Sequence, residues 1–332
     1  MNFTFPKVEL HLHIDCSLSF AFVSKYVPGI TLEEYSKTYN APVNCCSLID
    51  YLACAQAAIQ LMQSREQLYD ATMDVIQQLE ADQVIYAELR FAPLQHLHLG
   101  LTPDEVVEVC LSAMEDYEGN VKVRMLLCTL RHFSKAESDL TAELVIKYHN
   151  RGVVGLDLAA DEAGFGLENH QSAFEKVNLA GISCTSHAGE ACGPESVWET
   201  IQKLNARRIG HGIRSVEDED LLIKLKEAEI HLEICPTSNH MTRVFPETND
   251  YPVNHLLLHD VSFGINTDGR AISNVTLGDE YRWLHTEKGW TLEDMFKVNS
   301  NAIHAAFISE MEKDILMSQL RDGFERTNGF SN

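Results

Sequence analysis

The chain has 332 residues and a formal net charge of −23, with 45% hydrophobic and 23% charged residues. This apolar content is enough for a large buried core, and the length is typical either of one barrel of alternating strands and helices or of two domains. The acidic balance and the lack of any Lys/Arg block argue against a nucleic-acid-binding protein, which needs a basic surface.

The first predicted element is a strand that ends in polar side chains, Lys7-Val-Glu-Leu-His11-Leu-His13-Ile-Asp15. Apolar and polar residues alternate along it, and a period of two places both histidines on one face. Two neighbouring imidazoles can form half of a metal site. On its own, the pair is equally compatible with two histidines packed along a half-buried strand.

The rest of the chain predicts alternating helices and strands. The segment 16–81 is mostly helical, with a capping box at Ser64–Gln67, and a second capping box at Thr102–Glu105 opens the next helix. Further helices are predicted over 140–149, 193–204, 218–228 and 253–259, and from Thr291 to the C-terminal tail. Further strands are predicted over Val84–Phe91, 121–130, 155–159, 182–188, 208–210, 230–234 and 261–266.

Eight strand candidates separated mostly by helices favour a closed (β/α)8 barrel over an open doubly wound sheet. We therefore expect an α/β fold of the TIM-barrel type, with extra helices after the first strand and at the C-terminus. No linker, repeat or low-complexity segment interrupts the alternation, so we expect residues 1–332 to form a single domain.

In such a barrel the chemistry lies at the carboxyl ends of the strands. The predicted strand ends carry polar residues that could serve a site, namely His11 and His13, His187 with Glu190, His211, and Asp268. Each alone fits an ordinary structural role, such as a core histidine or a turn residue. Together they offer the nitrogen and oxygen ligands of a catalytic zinc site.

Nine scattered cysteines, an odd number, do not suggest a disulfide framework, and Cys-x-x-Cys is absent. No secretory leader or membrane-length apolar stretch is evident. We therefore expect a cytoplasmic protein with no membrane partner; the sequence does not indicate its oligomeric state.

Several of these motifs, in this order and at similar spacing, resemble the adenosine deaminase family across nearly the whole chain. They are His11-Leu-His13-Ile-Asp15, Leu101 to Val107, Asp157-Leu-Ala-Ala-Asp161-Glu162, His187-Ala-Gly-Glu190, Arg208-Ile-Gly-His211-Gly, Ile234-Cys-Pro-Thr-Ser-Asn239 and Asn266-Thr-Asp268.

The resemblance implies an enzyme with one Zn²⁺ per chain, which hydrolyses the 6-amino group of a purine nucleoside and releases ammonia. By matching positions, the zinc would be held by His11, His13, His187 and Asp268. The chemistry agrees, because attack on the ring needs a strong nucleophile at neutral pH, which zinc can supply from water.

The resemblance also assigns roles in catalysis and substrate binding. Glu190 would protonate the purine N1, which a buried and protonated carboxyl group could do. His211 would act as base, Asp15 would hold the ribose, and the backbone N–H of Ala160 would contact the purine.

Two positions depart from the family pattern. Gly269 follows Asp268 where many members carry a second aspartate that contacts the purine N7, and Cys16 stands where glycine is common. The metal ligands are unaffected, but the substrate is left open. Adenosine and deoxyadenosine are the leading substrates, and adenine, a 5'-modified adenosine or an N6-substituted AMP are alternatives. Less favoured are a nucleoside-binding protein without catalysis and a zinc hydrolase acting on a non-purine amide.

Overall fold

The computed structural model describes residues 3–42, 45, 47–245 and 251–328. The strands are β1 Lys7–His13, β2 Val84–Phe91, β3 Lys122–Leu130, β4 Val153–Ala159, β5 Ser183–Ala188, β6 Arg208–His211, β7 His231–Ile234 and β8 Phe263–Ile265. The α-helices within the described ranges are α1 Phe20–Tyr26, α2 Leu32–Tyr39, α3 Leu48–Ala53, α4 Ala55–Gln60, α5 Arg65–Ala81, α6 Pro103–Asp116, α7 Lys135–Tyr148, α8 Gln171–Leu179, α9 Pro194–Leu204, α10 Glu219–Glu227, α11 Pro236–Met241, α12 Val253–Leu258, α13 Leu277–Lys288, α14 Leu292–Ala305 and α15 Glu310–Asn328.

The eight strands pair in parallel in chain order, from β1 to β8. The barrel closes between its first and last strands just beyond β8, where the Asp268 backbone N–H donates to the His11 carbonyl at 3.0 Å and its carbonyl accepts from the His13 N–H at 2.8 Å. Asn266 adds a side-chain link, because its Oδ1 accepts from the Leu10 N–H at 2.7 Å. The closure therefore places Asp268 directly beside the two histidines of β1.

The predicted (β/α)8 barrel is confirmed, and so are the extra helices after β1 and at the C-terminus. Both predicted capping boxes are present, at Ser64 for α5 and at Thr102 for α6. Strand β2 has the predicted bounds. Strand β1 is shorter than expected, since it ends at His13 and a 3₁₀ turn spans Ile14–Cys16.

Three helices lie where the sequence reasoning assigned none. Helix α8 begins after His170, which makes no side-chain capping hydrogen bond, and α11 is short and likewise lacks a side-chain cap. Helix α13 does carry a signal, a capping box between Thr276 and Asp279. Its first turn also contains Gly278, a poor helix former, whose N–H donates to Asp82 at 3.1 Å.

The helices bury one side against the barrel. Helix α5, for example, buries Leu68, Val75, Ile76 and Leu79 completely. Each such side chain stabilises the fold by roughly 2 kcal/mol relative to leaving it exposed. No helix in the described parts of the chain is both long enough and apolar enough to span a membrane.

Candidate active site

All four predicted metal ligands converge at the carboxyl end of the barrel. His11 Nε2 lies 3.3 Å from Asp268 Oδ1, and His13 Nε2 lies 3.6 Å from the same oxygen. His13 Nε2 is also 3.2 Å from His187 Nε2. The structure thus brings together side chains from β1, β5 and the turn after β8.

Buried carboxylates orient two of these histidines from behind. His11 Nδ1 donates to Glu233 Oε2 at 2.8 Å, and His187 Nδ1 donates to Asp157 Oδ1 at 3.2 Å. Arg90, fully buried, links the two carboxylates with contacts of 2.7 and 2.9 Å. A hydrogen bond at Nδ1 fixes the tautomer that leaves the Nε2 lone pair free, which is the usual arrangement behind a metal-binding histidine.

The nitrogen and oxygen donors of these four side chains fit an ion such as Zn²⁺, which binds both kinds of ligand. His11 Nε2 is buried and makes no hydrogen bond among the described residues, so a lone pair there lacks a protein donor. Burial would raise the pKa of Asp268, but the close contact with His11 and the neighbouring histidines hold that pKa well below its usual value. Burial lowers the pKa of His13, which favours the neutral imidazole. Neutral imidazoles with one carboxylate are typical zinc ligands.

His211 lies close enough to form an alternative ligand set. Donor atoms of His11, His187, His211 and Asp268 lie within 4.8 Å of one another, as do those of His13, Asp157 and His187.

The hydrogen bonds of His211 argue against a ligand role. Tyr251 donates to Asn239 Oδ1 at 3.0 Å, which turns the Asn239 amide N–H₂ towards His211 Nδ1 at 3.0 Å. With Nδ1 accepting, a neutral His211 carries its proton on Nε2, which lies 3.6 Å from Glu190 Oε2. His13 is therefore the better fourth ligand, and His211 pairs with Glu190.

Glu190 is a buried carboxyl group in the turn after β5. Burial raises its pKa well above the usual value, and the carboxylates of Asp268 and Glu162 act in the same direction. The turn itself is held by Glu162, which accepts backbone N–H groups from Gly189 at 2.7 Å and from Glu190 at 3.0 Å. A fixed carboxyl group that favours the protonated form can donate a proton or a hydrogen bond at neutral pH.

The three predicted substrate-binding positions follow strands at the carboxyl end of the barrel, after β1, β4 and β8. Asp15 lies in the 3₁₀ turn after β1, and burial raises its pKa to about 6. Ala160, directly after β4, has a φ of 79°, in the left-handed region that favours glycine. Gly269 packs against Cys16.

A second apolar cluster covers this side of the barrel. It contains Cys16, Ala41, Cys45, Tyr51, Ala55, Ile59 and Ile272. Most of these residues belong to the helical segment after β1. The cluster therefore identifies α3 and α4, together with Ala41 and Cys45, as the cover next to Gly269.

The sequence reasoning missed the residues that support this site. Glu233 and Arg90 were detectable as charged residues inside apolar strands, which in a core must be paired. Glu162 and Asn239 belong to the motifs that resemble the family, but their motifs alone predicted no role for them. Ser238, which donates to Asp268 Oδ2 at 2.7 Å, was missed in the same way.

An open cavity of about 1510 Å³ lies at the opposite end of the barrel. Residues at the starts of the strands line it, among them Val154, Ser183, Arg208 and His231. It contains none of the predicted site residues. This cavity therefore lies apart from the candidate active site.

Comparisons with known proteins agree with the geometry. A family model described as Adenosine deaminase matches residues 6–323. The adenosine deaminase of Haemophilus ducreyi is 32% identical over 331 residues, covering 96% of each chain. That of Clostridium acetobutylicum is 35% identical over 324 residues, covering 95% of this chain and 97% of the relative. A crystal structure of an amidohydrolase from B. ambifaria with bound Zn has a TM-score of 0.88 at 19% identity, covering 98% of this chain and 92% of the other.

Proposed function

We propose that this chain, which belongs to the adenosine deaminase family and is an aminohydrolase, converts adenosine and 2'-deoxyadenosine with water to inosine and 2'-deoxyinosine plus ammonia. The observation that carries the proposal is the convergence of three histidines and Asp268 beside a buried Glu190. Relatives named adenosine deaminase, matched over nearly their full length, support the substrate.

One zinc ion would be held by His11, His13, His187 and Asp268. When bound, zinc lowers the pKa of a coordinated water to about 7 and so makes a nucleophile available at neutral pH. Glu233 and Asp157 keep the Nε2 lone pairs of two ligands directed into the site. The unpartnered Nε2 of His11 supports this ligand set.

Glu190 would act as the proton donor to the purine. Attack at C6 places electron density on N1, and a proton delivered there relieves the charge. Because its pKa is raised, Glu190 is protonated at neutral pH and can donate that proton to N1. Backbone hydrogen bonds to Glu162 hold the turn that carries Glu190.

His211 would stabilise negative charge near the attacking water by donating from Nε2. The base role that the family resemblance implies would need the other tautomer, because Asn239 donates to Nδ1 and leaves the proton on Nε2. Burial lowers its pKa well below the usual value, so the imidazole is neutral at physiological pH. Asn239 fixes the ring through Nδ1. The other nitrogen remains directed at Glu190 and the substrate region.

The substrate would be a small purine nucleoside. Asp15 would bind the ribose, the backbone N–H of Ala160 would contact the purine, and Gly269 would border its five-membered ring. A backbone N–H does not depend on the side chain, so alanine at 160 preserves that contact.

A cytoplasmic location agrees with the scattered cysteines of the sequence.

The direct test is an ultraviolet and ammonia assay of the purified protein with adenosine, with and without a zinc chelator. We expect the spectral change to inosine, one ammonia per nucleoside, and loss of both with the chelator. Parallel assays with adenine, 5'-modified adenosine and N6-substituted AMP measure the alternatives. If the zinc-loaded protein left adenosine and deoxyadenosine unchanged, the proposed substrate would be wrong. Adenosine binding without ammonia release would instead indicate a binding protein.

A further inference from the structure

Two histidines on α12 and its C-cap face a glutamate at the start of α10. His255 and His259 are one helical turn apart, and their rings stack with centroids 4.2 Å apart and planes 10° from parallel. His255 Nε2 lies 3.4 Å from Glu219 Oε1, and His259 Nε2 lies 3.1 Å from Glu219 Oε2. All three residues offer donor atoms within 4.8 Å of one another.

The hydrogen bonds leave both Nε2 atoms suited to a cation. His259 Nδ1 donates to the His255 carbonyl at 2.9 Å, so the neutral ring keeps its lone pair on Nε2. The Nε2 of His255 is buried, and apart from its 3.4 Å contact with Glu219 it makes no hydrogen bond within the part of the chain that the structure describes. Two protonated rings stacked this closely would repel each other, whereas one cation between them and Glu219 would attract all three groups.

The spacing places the three groups within reach of one small ion. The Nε2 atoms of His255 and His259 lie 3.4 and 3.1 Å from the two different oxygens of Glu219. The rings are partly exposed, so they can turn out of the parallel stack and direct both lone pairs at one ion.

Both elements that carry the ligands are fixed. Glu219 is the first residue of α10, directly after the N-cap Asp218, which accepts from Trp198 Nε1 at 2.9 Å. Helix α12 is anchored by the fully buried Val253 and Leu256. The three ligands are therefore presented by packed helix ends and not by an isolated loop.

We propose that Glu219, His255 and His259 form a second metal site for a divalent transition ion such as Zn²⁺, separate from the candidate active site. Two imidazoles and one carboxylate favour zinc over the oxygen-preferring Ca²⁺ and Mg²⁺. The side chains are between one third and two thirds exposed, so water completes the coordination and the ion exchanges readily. A bound ion joins α12 to α10 and stabilises the folded state.

The test measures Zn²⁺ binding to protein whose active site is already loaded. Protein containing one tightly bound zinc is titrated with ZnCl₂ by calorimetry, and thermal unfolding is followed at each zinc concentration. The variants are His255→Ala/His259→Ala and Glu219→Gln, and the matched control is His304→Ala, an exposed histidine on α14. Circular dichroism checks that each variant is folded.

We expect wild type and the control to bind one further, chelator-labile zinc and to gain thermal stability as zinc increases. The double variant should lose both effects, and Glu219→Gln should weaken binding at least tenfold. If the double variant bound the additional zinc as wild type does, the ion would lie elsewhere, for example on thiols, and the proposal would be wrong. It would also be wrong if wild type bound no additional ion. Neither outcome depends on deaminase activity.

Discussion

The Cβ of Cys16 lies 2.7 Å from the position that a Cβ on residue 269 would occupy, so Cys16 fills the space that a side chain at Gly269 would need. The backbone of Gly269 does not have a positive φ, so contact and not conformation excludes a larger residue there. The two positions that depart from the family pattern, Cys16 and Gly269, are therefore in contact, so we expect substitutions at them to be coupled.

This coupling predicts that Gly269→Asp alone is destabilising and that Cys16→Gly/Gly269→Asp is less so. The single variant forces an overlap with Cys16 that should cost about 1–3 kcal/mol. Removing the Cys16 side chain relieves that overlap, although the Cys16 carbonyl at 3.0 Å keeps the position tight. Urea unfolding of wild type, both single variants and the double variant measures the coupling. Additive single effects would contradict it.

Ala160→Gly should stabilise the protein and preserve its activity. Alanine at a φ of 79° carries a strain of roughly 1 kcal/mol that glycine does not, and the greater freedom of glycine in the unfolded chain offsets part of the gain. We expect a net increase of about 0.5 kcal/mol in the free energy of unfolding. Ala160→Val is the contrasting variant and should lose stability. A destabilised glycine variant would show that the Ala160 methyl makes contacts worth more than the strain.

Glu190→Gln should retain the metal and lose most of its turnover. Glutamine keeps the size of the side chain but cannot deliver a proton, and loss of general acid catalysis typically costs 10²–10⁴-fold. Metal content by atomic absorption and kcat with adenosine measure the two properties separately. Glu175→Gln, at an exposed position of α8, is the control. Near-normal turnover in Glu190→Gln would rule out its role as the proton donor.

Zinc binding should be lost in variants that remove a proposed ligand and only weakened in a variant that removes a group behind a ligand. His11→Ala and Asp268→Ala each remove a ligand and should yield protein without stoichiometric zinc. Ser238→Ala removes only the hydroxyl that donates to Asp268 Oδ2 at 2.7 Å, so zinc affinity should fall about tenfold with the metal still bound. Competition with a zinc chelator ranks the variants. Full zinc retention in His11→Ala would exclude His11 from the ligand set.

The sequence alone predicted those features of the fold that depend on a few neighbouring residues. Alternation along β1 placed His11 and His13 on one face, and the capping residue Thr102 marked the start of α6. Supporting contacts that join distant segments depend on the register of the barrel and could not be read in this way. His11 and Glu233, for example, are 222 positions apart. They meet because β7 pairs with β8 and β1 pairs with the segment just after β8.

The choice between His13 and His211 as the fourth ligand shows the same limit. Both are histidines at strand ends, and only the chain of hydrogen bonds from Tyr251 through Asn239 distinguishes their tautomers. The alternation along β1 made His13 a candidate ligand, and the family resemblance chose it over His211. The geometry supplies an independent physical reason for the same assignment.

Glu280 on α13 lies outside the proposed site. It should lower the free energy of unfolding as pH rises. It is fully buried, and its Oε1 accepts the Thr237 N–H at 3.0 Å. Its Oε2 makes no hydrogen bond to any of the described residues. Burial raises the pKa of Glu280 from 4.5 to about 8. Because the folded state binds this proton more tightly than the unfolded chain does, the stabilising contribution is complete below pH 4.5 and is lost as pH rises through about 8.

Glu280→Gln mimics the protonated carboxyl group and keeps the acceptor for Thr237. Relative to wild type it should therefore gain on the order of 3 kcal/mol in the free energy of unfolding between about pH 5 and pH 8.5. Urea unfolding across this range measures the difference, and zinc effects common to both proteins cancel. Glu287→Gln, at an exposed position of the same helix, should give no pH-dependent difference. If the Glu280→Gln difference were equally flat, Glu280 would be ionised in the folded protein and its carboxylate would have a partner, such as an ordered water, at Oε2.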